Sequence, residues 1–409
     1  MAIITIFSAD FCREQEVVKE LTARTSFRLT TTDQIIAEAA VLAGMDEAKV
    51  RRALTLKTSI FEKFTHEKQF ALAHIKLVLS KLLMVSAGRD LILTGYSTQL
   101  IPREITHFFR VGLIADKPFR VKVAMEERGL SAREAEKLIN SLDEERAQWL
   151  ARYCGIQDAF NPADYDLLIP MNKESVKDAA ELIISYLDKD ILQPTPSSEQ
   201  AVEDFNLQAM VEVALAKKGH DLTVQAVNGR VKIIINKNVT RLNRLKEELK
   251  AIVEQVDGVE EVEIGLSKDF HQTDVYRKYN MEMPSRVLLV DDEQEFVKTL
   301  SERLALRDMG SAVVHDGESA LSLIEQDQPD VMVLDLKMPG VDGIEVLKRV
   351  KETRPEVEVI ILTGHGSEED RKKCMELGAF AYLRKPVDIT KLSSVIKEAH
   401  EKVHKQRKS

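Results

Sequence analysis

Val331-Met332-Val333-Leu334-Asp335-Leu336-Lys337-Met338-Pro339-Gly340 is the stretch from which the C-terminal part of the chain can be read. An apolar run ends in one carboxylate, and a Pro-Gly turn follows within a few positions. The pattern predicts a strand with Asp335 at its carboxyl end, where open α/β sheets gather their functional groups. Three other stretches repeat it. Arg286-Val287-Leu288-Leu289-Val290 ends in Asp291-Asp292, and Val359-Ile360-Ile361-Leu362 ends in Thr363-Gly364. Ala379-Phe380-Ala381-Tyr382-Leu383 runs into Arg384-Lys385-Pro386. Four strands are therefore expected to bring three carboxylates, a hydroxyl and an ammonium to one sheet edge.

Such a set has narrow chemistry. Two like charges about 4 Å apart repel by roughly 4 kcal/mol at an effective dielectric near 20, so clustered carboxylates call for a cation. Mg²⁺ suits them, being hard and oxygen-seeking. Asp335 can then act as a carboxylate nucleophile toward phosphorus, giving an aspartyl-phosphate. Lys385 and Thr363 are placed to hold the phosphoryl oxygens by charge and hydrogen bond.

On these residues the segment 285–404 resembles the receiver domain of two-component response regulators. The resemblance implies phosphotransfer to Asp335 from a sensor histidine kinase or a phosphotransfer protein. It implies metal ligation by Asp291, Asp292, Asp335 and the backbone carbonyl of Lys337, and a cis peptide at Lys385-Pro386. It also implies a switch in which Thr363 moves toward the phosphoryl group and Tyr382 turns inward. Strand and helix patterns alternate five times with short connections, which predicts a doubly wound parallel sheet. The family's strand order is 2-1-3-4-5, a flavodoxin-like (βα)₅ fold with Asp335 at the switch point.

The whole chain has 409 residues, enough for two to four domains. A hydrophobic content of 44% and a charged content of 31% describe a globular protein. A net charge of −9 argues against nucleic acid as the main partner. No helix-turn-helix pattern follows the receiver segment, so DNA binding is not expected. Cys12, Cys154 and Cys374 are scattered and follow no metal-ligand spacing, as reduced thiols of a cytoplasmic protein would. The first residues are too short and insufficiently basic for a signal peptide. Lys76 and Lys81 interrupt the apolar run around Leu79, and no membrane span is expected.

At the N-terminus an apolar run, Ala2 to Phe7, leads directly into a helical pattern over 14–25. A phosphate-binding loop would sit at such a junction and would need glycines and a lysine. The connection Ser8-Ala9-Asp10-Phe11-Cys12-Arg13-Glu14 has neither, and reads as a plain strand-to-helix turn. Further strands are expected over 90–95, 107–115 and 165–170, with helices over 131–152 and 175–187. Ser131 and Glu134 are spaced as a capping box.

This order, with Asp143-Glu144-Glu145-Arg146-Ala147-Gln148-Trp149, Arg152 and Asp164-Tyr165-Asp166-Leu167-Leu168-Ile169, resembles the cytidylate-kinase-like branch of the nucleoside monophosphate kinases over 1–190. The resemblance implies a P-loop-kinase-like α/β fold and a nucleotide as ligand. Arg120, Arg146 and Arg152 match its phosphate-gripping arginines, with Arg110 and Arg128 as further candidates. The same arginines also read as solvated helix faces paired with Glu127, Glu144 or Glu145.

Residues 191–199, with Pro194, Pro196, Ser197 and Ser198, read as an extended, exposed linker. A compact αββαβ unit over 200–267 follows, with Asn228-Gly229 marking a type I′ hairpin. Its order and its Val-Asp-Gly-Val-Glu-Glu-Val motif resemble a BON-type domain, which implies an association with membranes or hydrophobic ligands; no residue in it points to catalysis, and it reads as a structural or docking unit. Residues 268–284 read as a charged connector. The composite expectation is an α/β multidomain response regulator that accepts phosphate on Asp335 and signals to its N-terminal domains or a partner, with homodimerisation open to it. The alternatives are a receiver-regulated cytidylate-kinase-like phosphotransferase and a non-catalytic nucleotide sensor.

Overall fold

The computed structural model describes residues 2–55, 61, 66–85, 90–187, 189, 192–236, 242–267, 286–307, 309–364 and 366–408. The connector over 268–284 lies outside them. The chain forms two compact units.

In the first unit, β1 (Ile3–Ser8) leads to α1 (Glu14–Arg24) and β2 (Arg28–Thr30). There follow α2 (Thr32–Ala43), α3 (Glu47–Ala53), α4 (Glu67–Val85), β3 (Leu91–Thr94), β4 (Phe108–Ile114) and α5 (Lys117–Arg128). Next come α6 (Ala132–Tyr153), β5 (Leu167–Pro170) and α7 (Val176–Ser185). The five strands make one parallel sheet in the order β2-β3-β1-β4-β5. Alternation along β1 sends Ile3 and Phe7 to one core and Ile4 and Ile6 to the other, so helices cover both faces. The capping box at Ser131 and Glu134 is formed at the start of α6.

The last four residues of the expected extended linker, 196–199, belong to a helix. α8 spans Pro196–Lys217. Proline suits a first helical turn because its missing N–H would have no partner there. The Thr195 hydroxyl accepts the Ser198 N–H at 3.2 Å. Ser198 is buried rather than exposed, and its hydroxyl meets the Thr106 N–H at 2.7 Å and His107 Nδ1 at 2.6 Å.

α8 carries two apolar faces. Ala209 and Val213 pack on Ala73 and Leu77 of α4, with Lys76 paired to Glu212 at 2.9 Å. Leu207, Val211 and Leu215 face the small sheet of β6 (Thr223–Val227), β7 (Arg230–Ile235) and β8 (Glu261–Leu266), which α9 (Leu242–Val253) also covers. β6 and β7 form an antiparallel hairpin through Asn228 (φ 48°) and Gly229 (φ 76°), the left-handed pair that a type I′ turn requires. β8 adds to β7 in parallel.

The second unit alternates β9 (Val287–Val290), α10 (Gln294–Ala305), β10 (Ser311–Val314), α11 (Gly317–Gln326) and β11 (Val331–Leu334). It continues with α12 (Gly343–Thr353), β12 (Glu358–Thr363), α13 (Glu368–Glu376), β13 (Ala381–Arg384) and α14 (Ile389–Lys408). All five strands are parallel in the order β10-β9-β11-β12-β13, which is the expected 2-1-3-4-5. Leu288, Val290, Met332 and Leu334 face α11, α12 and α13, while Val287, Leu289, Val331 and Val333 face α10 and α14. No helix among the described residues is long and apolar enough to cross a membrane.

Candidate phosphoacceptor site and a self-paired arginine cluster

The carboxyl ends of β9, β11, β12 and β13 meet at one edge of the second sheet. Asp335 follows β11, and its amide is held by the Val290 carbonyl at 2.9 Å. The Asp335 carboxylate accepts from the Leu336 N–H at 2.7 Å. Asp291 accepts from the Glu293 N–H at 3.0 Å. The turn after Asp335 folds back on itself, with Gly343 N–H bonding the Leu336 carbonyl at 3.0 Å. A Cβ at Gly343 would strike the Asp335 carbonyl oxygen, so glycine lets α12 start against this loop. Lys337 lies within the same turn and is exposed.

Asp291 and Asp335 are buried, and Asp292 is nearer solvent; carboxylate oxygens of the three lie within 4.8 Å of one another. Lys385 Nζ reaches Asp291 at 2.7 Å, Glu293 at 2.9 Å and Asp335 at 3.1 Å, and sits 4.4 Å from the centre of the Phe296 ring. Burial opposes the charge of Lys385, but its carboxylate partners outweigh burial and raise its pKa above the ordinary lysine value. Burial raises Asp291 above the usual carboxylate range despite the pull of Lys385. One ammonium thus meets three carboxylates, with Asp292 close by.

Thr363 ends β12 and is buried, its carbonyl accepting from the Lys385 N–H at 2.9 Å. The Lys385–Pro386 peptide is cis. Tyr382 pairs with Ile361 on the neighbouring strand, while Thr363 pairs with Arg384; the Tyr382 ring and the Thr363 methyl both lie against Gly366. The Tyr382 hydroxyl is buried and has no hydrogen-bond partner among the described residues. Asp291, Asp292, Asp335, Thr363 and Lys385 therefore converge at one edge, with Tyr382 and Thr363 sharing Gly366 as a neighbour.

Two of the N-terminal arginines are buried rather than set on a solvated helix face. Arg120 is buried, with its guanidinium bidentate on Asp143 at 2.7 and 2.8 Å and its Nε donating to the Asp10 carbonyl at 2.8 Å. Arg146 is buried as well; it donates to Asp143 at 2.9 Å and pairs with the Asp10 carboxylate. Burial lowers its pKa to about 10. The expected solvated pairing with Glu127, Glu144 or Glu145 is not what holds these two. Buried guanidiniums need acidic partners, and Asp143, one turn before Arg146, pairs with both, while Arg146 Nε has no hydrogen-bond partner among the described residues.

The remaining three arginines stand apart from this cluster. Arg152 is exposed beside the Tyr153 ring, and Arg128 is exposed at the end of α5. Arg110 donates to the Pro102 and Ile105 carbonyls at 2.7 and 3.2 Å.

The loop between β1 and α1 turns through left-handed Phe11 (φ 63°) and Arg13 (φ 56°), conformations that glycine would adopt without strain. Glu14 opens α1, and burial pushes its carboxyl up to about 7. A carboxyl group thus occupies the helix start where anions are otherwise favoured.

A doubly wound parallel sheet with clustered acids and one lysine at its switch point defines a receiver-type domain. The response regulator receiver domain matches residues 287–397, and the cytidylate kinase-like family matches residues 3–173. The chain is 34% identical over 116 residues to sporulation initiation phosphotransferase F of Bacillus subtilis, covering 28% of this chain and 94% of that protein. Through this segment the chain belongs to the response regulator receiver family.

It is 38% identical over 120 residues to the transcriptional regulatory protein CpxR of Escherichia coli, covering 28% of this chain and 51% of that one. The chain thus spans about half the length of that relative. The crystallised receiver domain from Clostridium thermocellum is 32% identical, covering 28% of this chain and 94% of that one, with a TM-score of 0.28.

Proposed function

We propose that this response regulator accepts a phosphoryl group on Asp335 from a histidine kinase or phosphotransfer protein in the cytoplasm. The observation that supports it is the bridging of Asp291 and Asp335 by Lys385 within a cluster of three strand-end carboxylates. The donor's P–N bond breaks as an Asp335 carboxylate oxygen bonds phosphorus, and the imidazole nitrogen leaves with the electron pair. Lys385 can pair with a phosphoryl oxygen, and the Thr363 hydroxyl can donate to another.

The hard oxygens of Asp291, Asp292 and Asp335 fit Mg²⁺, with the Lys337 carbonyl as a further ligand. When bound, Mg²⁺ supplies positive charge that offsets the carboxylates and the incoming phosphate. Phosphorylation by acetyl phosphate in Mg²⁺ tests the reading.

The reading of Thr363 and Tyr382 as the switch rests on their shared packing against Gly366. A Thr363 hydroxyl drawn to the phosphoryl group changes the packing around Gly366, where the Tyr382 ring lies. With beryllofluoride bound in both, Thr363→Ala is expected to show a smaller change in hydrogen exchange over 368–377 and 382–391 than the wild type. Equal responses in the two proteins would remove Thr363 from the coupling.

The first unit reads best as a non-catalytic cytidylate-kinase-like scaffold, with the αββαβ element as a BON-type docking module. Asp10, Asp143 and Glu14 place carboxylates around the loop where a kinase needs cations and amides. Losing one preorganised anion donor costs about 10²–10³ in rate, and here the loop lacks glycines and lysine while Arg120 and Arg146 are engaged by Asp143 and Asp10. ATP-dependent phosphorylation of CMP or dCMP is expected to stay far below ordinary turnover, roughly 1 s⁻¹. Turnover at that level would favour the kinase alternative, and CMP binding without turnover the sensor.

A further inference from the structure

At the opposite edge of the receiver sheet, Asp330 precedes β11, while His400 and His404 lie one turn apart on α14. A spacing of four residues puts both imidazoles on one helix face, and their ring centres are 4.3 Å apart. His400 Nδ1 lies 3.6 Å from an Asp330 carboxylate oxygen. One donor atom from each of the three residues lies within 4.8 Å of the others. Asp330 and His400 are buried, and His404 opens to solvent.

We infer that Asp330, His400 and His404 form a second cation site, selective for a zinc-type transition metal. Donors bound at about 2.0–2.2 Å around a tetrahedral zinc stand roughly 3.3 Å apart, close to the separation already present between His400 and Asp330. A single ion pair would engage Asp330 with one imidazole. The second imidazole, on the same face and within reach of the same carboxylate, completes a two-nitrogen, one-oxygen set.

Imidazole nitrogens favour Zn²⁺, Ni²⁺ or Cu²⁺ over Mg²⁺, so the ligand types separate this site from the all-oxygen set around Asp335. Distance separates them too, because Asp330 and Asp335 are five residues apart along an extended strand, roughly 16 Å. The solvent-facing side of His404 leaves room for water as the fourth ligand. A bound ion would fasten the last turns of α14 to the base of the strand that carries Asp335.

Calorimetric titration of the full chain with Zn²⁺, in excess Mg²⁺, tests the site. The wild type is expected to bind Zn²⁺ under these conditions. His404→Ala, at an exposed position near the end of a helix, should lose that binding event. Its affinity should fall by more than the roughly 10–100-fold that removal of an outer-shell partner costs. Asp335→Asn, altered only at the acidic edge, should keep the event. Absence of Zn²⁺ binding by the wild type, undiminished binding by His404→Ala, or loss of the event in Asp335→Asn would each overturn the inference.

Discussion

Asp335→Asn is expected to take up no phosphoryl group from acetyl phosphate and Mg²⁺, whereas the wild type takes up one per chain. The substitution is nearly isosteric, and an asparagine carbonyl can still accept the Leu336 N–H that Asp335 holds at 2.7 Å. The anionic oxygen that would attack phosphorus is gone, because an amide oxygen is a poor nucleophile. Lys385 keeps Asp291 at 2.7 Å and Glu293 at 2.9 Å.

Removing one of three mutually repelling carboxylates also relieves a repulsion of up to about 4 kcal/mol per close pair. The variant should therefore melt no lower than the wild type, so that lost labelling cannot be ascribed to lost folding. Intact-protein mass spectrometry reads the phosphoryl group directly. Undiminished labelling of a folded Asp335→Asn would move the phosphoacceptor elsewhere.

The receiver was legible because its strands are buried on both faces and read as unbroken apolar runs, each stopped by the residue that matters. Val331 to Leu334 are all buried, and so are Val287 to Val290. Less of the first unit could be read. β2 has only three residues, two of them polar, and no pattern announces it. α4 is buried around most of its circumference, between α2 and α3 on one side and α8 on another. It therefore lacks the one-sided periodicity by which a helix is recognised.

α8 begins at a proline that local reading assigns equally to a spacer. The contacts that fix this end of α8, from Ser198 to Thr106 and His107, come from about ninety residues upstream. Arg120 and Arg146 were visible as candidates for phosphate. Their partners could not be chosen, because Asp10 lies 136 residues from Arg146 and Asp143 was one of several acids on its helix. The pairing of Asp330 with His400 is equally non-local.

Asp143→Ala is expected to destabilise the first unit by about 3 kcal/mol, the lower end of the range for breaking a buried ion pair. Asp143 holds both guanidiniums, and the side chains of Arg120 and Arg146 are 8% and 3% exposed. Without it, Arg120 keeps only the Asp10 carbonyl among these contacts, and Arg146 keeps the Asp10 carboxylate. The carboxylate itself is 36% exposed, so water recovers part of the loss.

Glu144→Ala, one residue along on the exposed face of α6, should cost no more than about 0.5 kcal/mol. Trp149, the single tryptophan, is fully buried on the same helix against Tyr96, so its fluorescence during urea unfolding reports this unit alone. Equal midpoints for the two variants would show that the arginines need no internal partner. A midpoint restored by added phosphate in Asp143→Ala, but unmoved by phosphate in the wild type, would show that Asp143 competes with an anion for these arginines. Asp143 and Asp10 already take five of the six guanidinium nitrogens of Arg120 and Arg146.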